Sequence, residues 1–334
     1  MGLSELGEFG LIDRIRSRFP QPLPPDLGIG DDAALLTPQA GRQIVVSTDL
    51  LAEGVHFERR FGSARLLGRK TLSVNLSDLA AMGAFPRWAF LSLAVPAGFP
   101  LDELEAFLDG FAEQAAEHGV VLAGGDTCGS RSGLVLSVTI MGEQRPERLV
   151  TRSTARPGDD IWVSGTLGDA ALGLQLLLAD QVRQEEAAQY VVARHLDPSP
   201  RCRLGLALAE AGLASAMIDI SDGLLGDLGH ICRQSGCGAE LQLAQLPRSD
   251  QFEGLAAAHG DYPWQLVLSG GEDYELCFTA PPVHAASIRE TAKTAGIPVT
   301  VVGKVTGCSE IHPLLPDGTR YVPARAGFNH FQTP

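Results

Sequence analysis

Acidic side chains recur in one kind of setting at six separated places along the chain. Asp31 and Asp32 follow the glycine turn of G-I-G-D-D, Asp49 follows the β-branched run Q-I-V-V-S-T, and Asp78 lies in V-N-L-S-D-L-A-A-M-G-A. Asp126 ends V-V-L-A-G-G-D-T, Asp219 and Asp222 share I-D-I-S-D-G, and Glu272 and Asp273 share L-V-L-S-G-G-E-D-Y-E-L. One aspartate after a strand is ordinarily a turn or capping residue. Six recurrences of the same apolar-flanked setting exceed what independent capping roles explain. In open α/β sheets ligands bind at the carboxyl ends of strands, which is where these acids are expected to lie.

Two carboxylates about 4 Å apart repel by roughly 4 kcal/mol at an effective dielectric near 20. A converging group therefore requires protonation or cations. The acids have Ser and Thr neighbours and no His or Cys partners, a hard oxygen set that favours Mg²⁺ over zinc. Cations also let a chain of net charge -14 bind phosphates, whereas that charge argues against nucleic acid or an anionic membrane as partner. The Walker pattern G-x-x-x-x-G-K-[ST] and the protein-kinase H-R-D and D-F-G set are absent. Gly165-Thr166-Leu167-Gly168 reads as an anion-binding turn or, in preference, a structural one. No Ser/His/Asp arrangement and no H-x-x-x-H pair stands out, so no catalytic side chain is predicted.

These acids need a scaffold. Helices are expected over 7–19, 63–79, 101–118 and 170–178, and strands over 43–48, 88–95, 120–122, 134–141, 161–164, 216–220, 266–268, 275–279 and 299–302. Helix 101–118 is the clearest, with Pro100 before it, Asp102 and Glu103 in its first turn, and Gly119 to end it. The polar, Pro/Gly-containing stretch 143–160 reads as a junction. It gives an N-terminal domain over 1–147 and a C-terminal α/β domain over 148–334, an α/β (α+β) fold overall. The 334 residues, 45% hydrophobic and 20% charged, describe a globular chain large enough for two cores. Six scattered cysteines without C-x-x-C, a charged first segment and no apolar run of about 20 residues predict a cytoplasmic protein without disulfides or membrane spans.

The motifs named above, together with S-T-D (47–49), G-V-H-F (54–57) and L-V-T-R-S (149–153), resemble the thiamine-monophosphate kinase family in order and spacing over nearly the whole chain. That family belongs to the superfamily of aminoimidazole ribonucleotide synthetase and selenophosphate synthetase. The resemblance implies a two-domain synthetase-type fold whose N-terminal sheet pairs with a second subunit in a homodimer, with ATP in the cleft. It implies ATP-dependent phosphorylation of thiamine monophosphate to thiamine diphosphate with several Mg²⁺ ions. Motif by motif, Asp32, Ser47, Thr48, Asp49, Asp78, Asp126, Asp219 and Asp222 fall on metal positions. Gly125, Asp126, Arg152 and Ser221 fall on nucleotide positions, and His56 and Glu272 on substrate positions. At the place where the family often stacks an aromatic on the thiamine ring, this chain has Arg325, with Phe328 nearby.

The acceptor in that reaction is an already ionised phosphate oxygen, so direct in-line transfer by positioning and charge neutralisation is expected. Three alternatives stand beside it: another ATP-using member of the superfamily, a catalytically silent nucleotide- and metal-binding module, and a metal-dependent phosphohydrolase, which the resemblance disfavours. The first 127 residues lack the cysteine expected of a selenophosphate synthetase, and the terminal F-N-H-F-Q-T-P lacks the cysteine tail of a hydrogenase-maturation relative.

Overall fold

The computed structural model describes residues 3–23, 25–182, 184–256, 263–324 and 327. It forms two compact units, Met1–Leu79 with Ala84–Pro146, and Ala80–Gly83 with Glu147–Pro334. The first unit contains α1 (Leu3–Arg18, interrupted at Gly7), β1 (Gln43–Ala52), α2 (Ala64–Ala81), β2 (Phe85–Pro96), α3 (Leu101–His118), β3 (Val121–Ser130) and β4 (Val135–Gln144). Its sheet has the order β1-β4-β2-β3, with β4 antiparallel to both neighbours and β2 parallel to β3 across the α3 connection. Strand β1 alternates: Val45, Ser47, Asp49 and Leu51 face inward, while Ile44, Val46, Thr48 and Leu50 face out. Thr71, Ser73 and Asn75 of α2 are buried, and each bonds the carbonyl four residues back, which removes the cost of burying it.

Helix α3 has the bounds expected from its pattern, and Gly119 closes it in the left-handed conformation. Strand β3 does not. Expected over 120–122, it begins at Val121 and runs on through Gly124-Gly125-Asp126 to Ser130, where the sequence suggested a turn. Gly125 permits this: at φ +155° it lies against Leu91, and a Cβ there would stand 1.8 Å from the Leu91 carbonyl oxygen.

The second unit comprises β5 (Asp160–Ser164), α4 (Asp169–Leu178), α5 (Glu186–Leu196), α6 (Cys202–Glu210), β6 (Ala216–Ile220), α7 (Leu224–Ser235) and β7 (Gly238–Gln242). It continues with α8 (Asp250–Ala256), α9 (Trp264–Ser269), β8 (Glu275–Ala280), α10 (Ala285–Ala295), β9 (Val299–Thr306) and β10 (Ile311–Leu314). The sheet order is β10-β7-β9-β5-β8-β6, antiparallel except between β10 and β7. Strands β5, β6 and β8 are buried throughout, and Ile161, Val163, Ile218, Ile220, Leu224, Leu228 and Cys277 form the centre of the core.

Residues 266–268, expected as a strand, belong to helix α9, whose end is closed by the Gly270 N–H on the Leu266 carbonyl. A short apolar run does not distinguish the two states by periodicity. With both sheets largely antiparallel, the rule placing ligands at the carboxyl ends of parallel strands does not locate these acids. Asp49 and Asp126 lie within strands, Asp219 near the end of β6, and Asp78 on a helix. Among the described residues the cysteines form no disulfide, and no helix is long and apolar enough to cross a membrane.

Candidate active site

In the first unit, Leu27 and Leu35 exchange backbone hydrogen bonds of 2.9 and 3.0 Å and close the G-I-G-D-D segment into a loop. Asp31 and Asp32 are exposed on it, and Asp31 Oδ1 accepts the Asp32 N–H at 2.9 Å. The apolar residues that follow are not core, since Leu35 is 52% exposed.

Strand β1 and helix α2 bring three of the expected residues together. Ser47 Oγ donates to Asp78 Oδ2 at 2.5 Å, and the Asp49 carboxyl is hydrogen-bonded to Asp78. The Asp49 N–H donates to Asn75 Oδ1 at 3.2 Å, so Asn75 and Asp78, one helical turn apart, both meet β1. Burial, then the charge and hydrogen bond of Asp78, push the Asp49 carboxyl up to about 7. Thr48 faces the other way, donating to the Val138 carbonyl at 3.0 Å. Asp126 falls in the cross-strand row Leu50–Ser137–Ser92–Asp126, and Gly125 in the row Asp49–Val138–Leu91–Gly125. His56 sits in the turn after β1, its Nδ1 accepting the Ala52 N–H at 3.1 Å. The neutral ring therefore carries its proton on Nε2.

In the second unit the loops I-D-I-S-D-G and S-G-G-E-D-Y-E lie edge to edge. The Glu272 N–H donates to Ser221 O at 2.8 Å and the Tyr274 N–H to Ile220 O at 2.9 Å. A Cβ on Gly271 would stand 2.5 Å from the Ser221 oxygen. Glu272 and Tyr274 adopt φ of 69° and 50°, unusual for residues with side chains. His195 Nδ1 on α5 lies 2.9 Å from Glu272 Oε2. The fully buried Glu275 accepts from Ser164 Oγ at 2.6 Å, Arg194 Nη2 at 2.9 Å and Arg201 Nε at 2.6 Å. The Asp273 carboxylate accepts the Gly168 N–H, and burial holds it well above the usual range. The G-T-L-G turn is thus structural, its Gly168 N–H already engaged. Asp219 is buried in β6, and the Arg152 carbonyl accepts the Ser235 hydroxyl at 3.0 Å.

The AIR synthase related protein family matches the chain in two parts, its N-terminal domain over residues 30–144 and its C-terminal domain over 156–313. The thiamine-monophosphate kinase of Escherichia coli (strain K12) is 43% identical over 335 residues, covering 98% of this chain and 99% of its own. The solved thiamine-monophosphate kinase of Stenotrophomonas maltophilia K279a superposes with a TM-score of 0.83 at 42% identity, over 94% of this chain and 98% of that one. A structure of AaThiL complexed with AMPPCP and TMP gives 0.78 at 34% identity, covering 99% of each chain. The chain belongs to the thiamine-monophosphate kinase family.

Thiamine-monophosphate kinases are enzymes, which removes the silent binding module as a reading of this chain. The residues fit magnesium on their own chemistry: Ser47, Asp49 and Asp78 form an all-oxygen set, and burial beside a second carboxyl makes charge on Asp49 costly without a cation. Among the described residues no three His, Cys, Asp or Glu side chains form a group able to hold a metal ion by themselves. Such a pattern suits Mg²⁺, which uses one or two carboxylates with water and substrate phosphates rather than a protein cage. Arg325 and Phe328 lie outside the described residues. Sequence reasoning missed Asn75 and His195. Asn75 stood inside a quoted motif, one turn before Asp78, and that spacing was its signal.

Proposed function

We propose that the chain transfers the γ-phosphoryl group of ATP to thiamine monophosphate, giving ADP and thiamine diphosphate by direct in-line transfer. The carrying observation is the likeness, over 99% of both chains, to AaThiL complexed with AMPPCP and TMP. The acceptor oxygen is already ionised, so the protein's task is to bring two polyanions together and hold them aligned. Mg²⁺ is proposed at Asp32, Ser47, Thr48, Asp49, Asp78, Asp126, Asp219 and Asp222, where it would neutralise phosphate charge. Gly125, Asp126, Arg152 and Ser221 are proposed to hold the nucleotide, and His56 and Glu272 the thiamine phosphate. Incubation with Mg²⁺, ATP and thiamine monophosphate yields ADP and thiamine diphosphate in equal amounts; ADP with free phosphate and no diphosphate product sinks this reading.

The bond from Ala52 to His56 Nδ1 makes Nε2–H the ring's donor, which is proposed to meet a substrate acceptor. A glutamine amide mimics Nε2 and an asparagine amide mimics Nδ1. His56→Gln therefore keeps KM for thiamine monophosphate within about 3-fold, whereas His56→Asn raises it by about 10-fold or more with kcat nearly unchanged. Equal KM values for the two variants refute the assignment.

The homodimer is proposed on the open face of the first sheet. Val46 and Leu50 are 56% and 53% exposed there, beside the partly exposed Ile44 and Phe85. Val46→Glu with Leu50→Glu gives a monomer by light scattering where the parent has twice the chain mass; an unchanged mass rules this face out.

A further inference from the structure

Asp227 belongs to none of the motifs that the proposed reaction uses, yet it is bonded to one of them at three points. It lies in the first turn of α7 and is only 3% exposed. Its Oδ2 accepts three consecutive backbone N–H groups, those of Ser221, Asp222 and Gly223, each at 3.1 Å. Convergent N–H groups at a helix N-terminus ordinarily make a nest for an external anion such as phosphate. Here the chain supplies the acceptor itself. The opposite edge of the same loop is tied as well, through Ile220 O to Tyr274 and Ser221 O to Glu272. The loop is thus clamped from both sides, with Asp219 before it and Asp222 within it.

We propose that Asp227 is a positioning residue, a built-in acceptor that fixes the loop presenting Asp219, Ser221 and Asp222 and closes its amides to free phosphate. Asp219 and Asp227 are both buried, and Asp222 shares the loop between them. Three acids packed together do not stabilise a fold, so a role in shaping the loop accounts for a placement that folding alone would disfavour. The inference deepens the proposed reaction and rests on it only for its kinetic half.

The test uses the full chain free of metal and nucleotide, read by hydrogen exchange at amides 221–223. Asp227→Ala speeds their exchange by about 10-fold or more, while Asp227→Asn, which keeps an acceptor oxygen in place, leaves it near the parent rate. Added formate enters the space left in Asp227→Ala and restores protection. In turnover, Asp227→Ala loses about 100-fold in kcat with KM for thiamine monophosphate within about 3-fold, and formate recovers about 10-fold of it. Unchanged exchange in Asp227→Ala overturns the proposal. So does an Asp227→Asn enzyme as inactive as Asp227→Ala with its amides still protected, because the carboxylate would then act directly. Because the exchange experiment contains no substrate, a chain that fails to make thiamine diphosphate leaves its result intact.

Discussion

Asp78→Asn loses about 10³-fold in kcat and, at the same time, raises the Tm of the metal-free protein by about 2–4 °C. The two effects come from one contact. Asp78 accepts the Ser47 hydroxyl and shares a hydrogen bond with Asp49, whose carboxyl is pushed up to about 7 by burial and then by Asp78. Asparagine keeps the shape and the oxygen that faces Ser47, so packing is preserved. It removes the like charge that makes ionised Asp49 unfavourable, and about 1 kcal/mol of relief is enough for the expected rise. The same substitution deletes an anionic oxygen that the phosphoryl transfer is proposed to need. Asp49→Asn shifts both quantities in the same directions. Kinetics of thiamine diphosphate formation and calorimetry in excess chelator measure the pair; near-parent turnover refutes the site assignment, and a fall in Tm shows that the two acids do not repel.

What could be read without coordinates followed from local chemistry. The bounds of α3 were visible because its apolar positions trace one face and Pro100, Asp102, Glu103 and Gly119 punctuate it. The pairing of Asp49 with Asp78 was foreshadowed by residue type, since both acids sit among hydroxyls and apolar residues. The S-T-D run hid one distinction: neighbours in a strand point to opposite faces, so the Thr48 side chain turns away from those of Ser47 and Asp49, and its proposed place at the metal falls to its backbone. Strand β3 was cut short because two glycines read as a turn, and only its contact with Leu91 shows why they are tolerated. Helix α9 was read as a strand because a run as short as W-Q-L-V-L-S carries too few turns to show a period. Asp227 was invisible for a different reason. Its role exists only once α7 forms and turns its first residues back on the preceding loop, and the sequence offered no cue beyond an acid near D-G.

The largest loss of stability is expected at Glu275→Ala, which lowers the unfolding free energy of the second unit by about 3–5 kcal/mol. Glu275 is fully buried, Arg194 and Arg201 converge on its carboxylate, and the Ser164 hydroxyl donates to the same group. Burial alone would lower the affinity of Arg201 for its proton, and the charge and hydrogen bond of Glu275, with the charge of Tyr190, together outweigh it. Removing the carboxylate leaves two guanidinium groups in a space that water reaches poorly, a larger cost than the net worth of the intact network. Glu275→Gln keeps an acceptor but not the charge, so its loss is intermediate. Replacing Glu275, Arg194 and Arg201 together with Met, Leu and Leu removes the three charges of this network and recovers most of the stability. That triple variant separates folding from function: Arg194 neighbours His195, which contacts Glu272, and Glu275 begins the strand that follows the strained Glu272–Tyr274 segment. With the network gone, the segment is held less firmly, and KM for thiamine monophosphate rises by about 10-fold even where the fold is restored. Urea unfolding and steady-state kinetics give both quantities. An unchanged unfolding midpoint in Glu275→Ala refutes the energetic claim, and a parent-like KM in the stable triple variant removes the network from the control of Glu272.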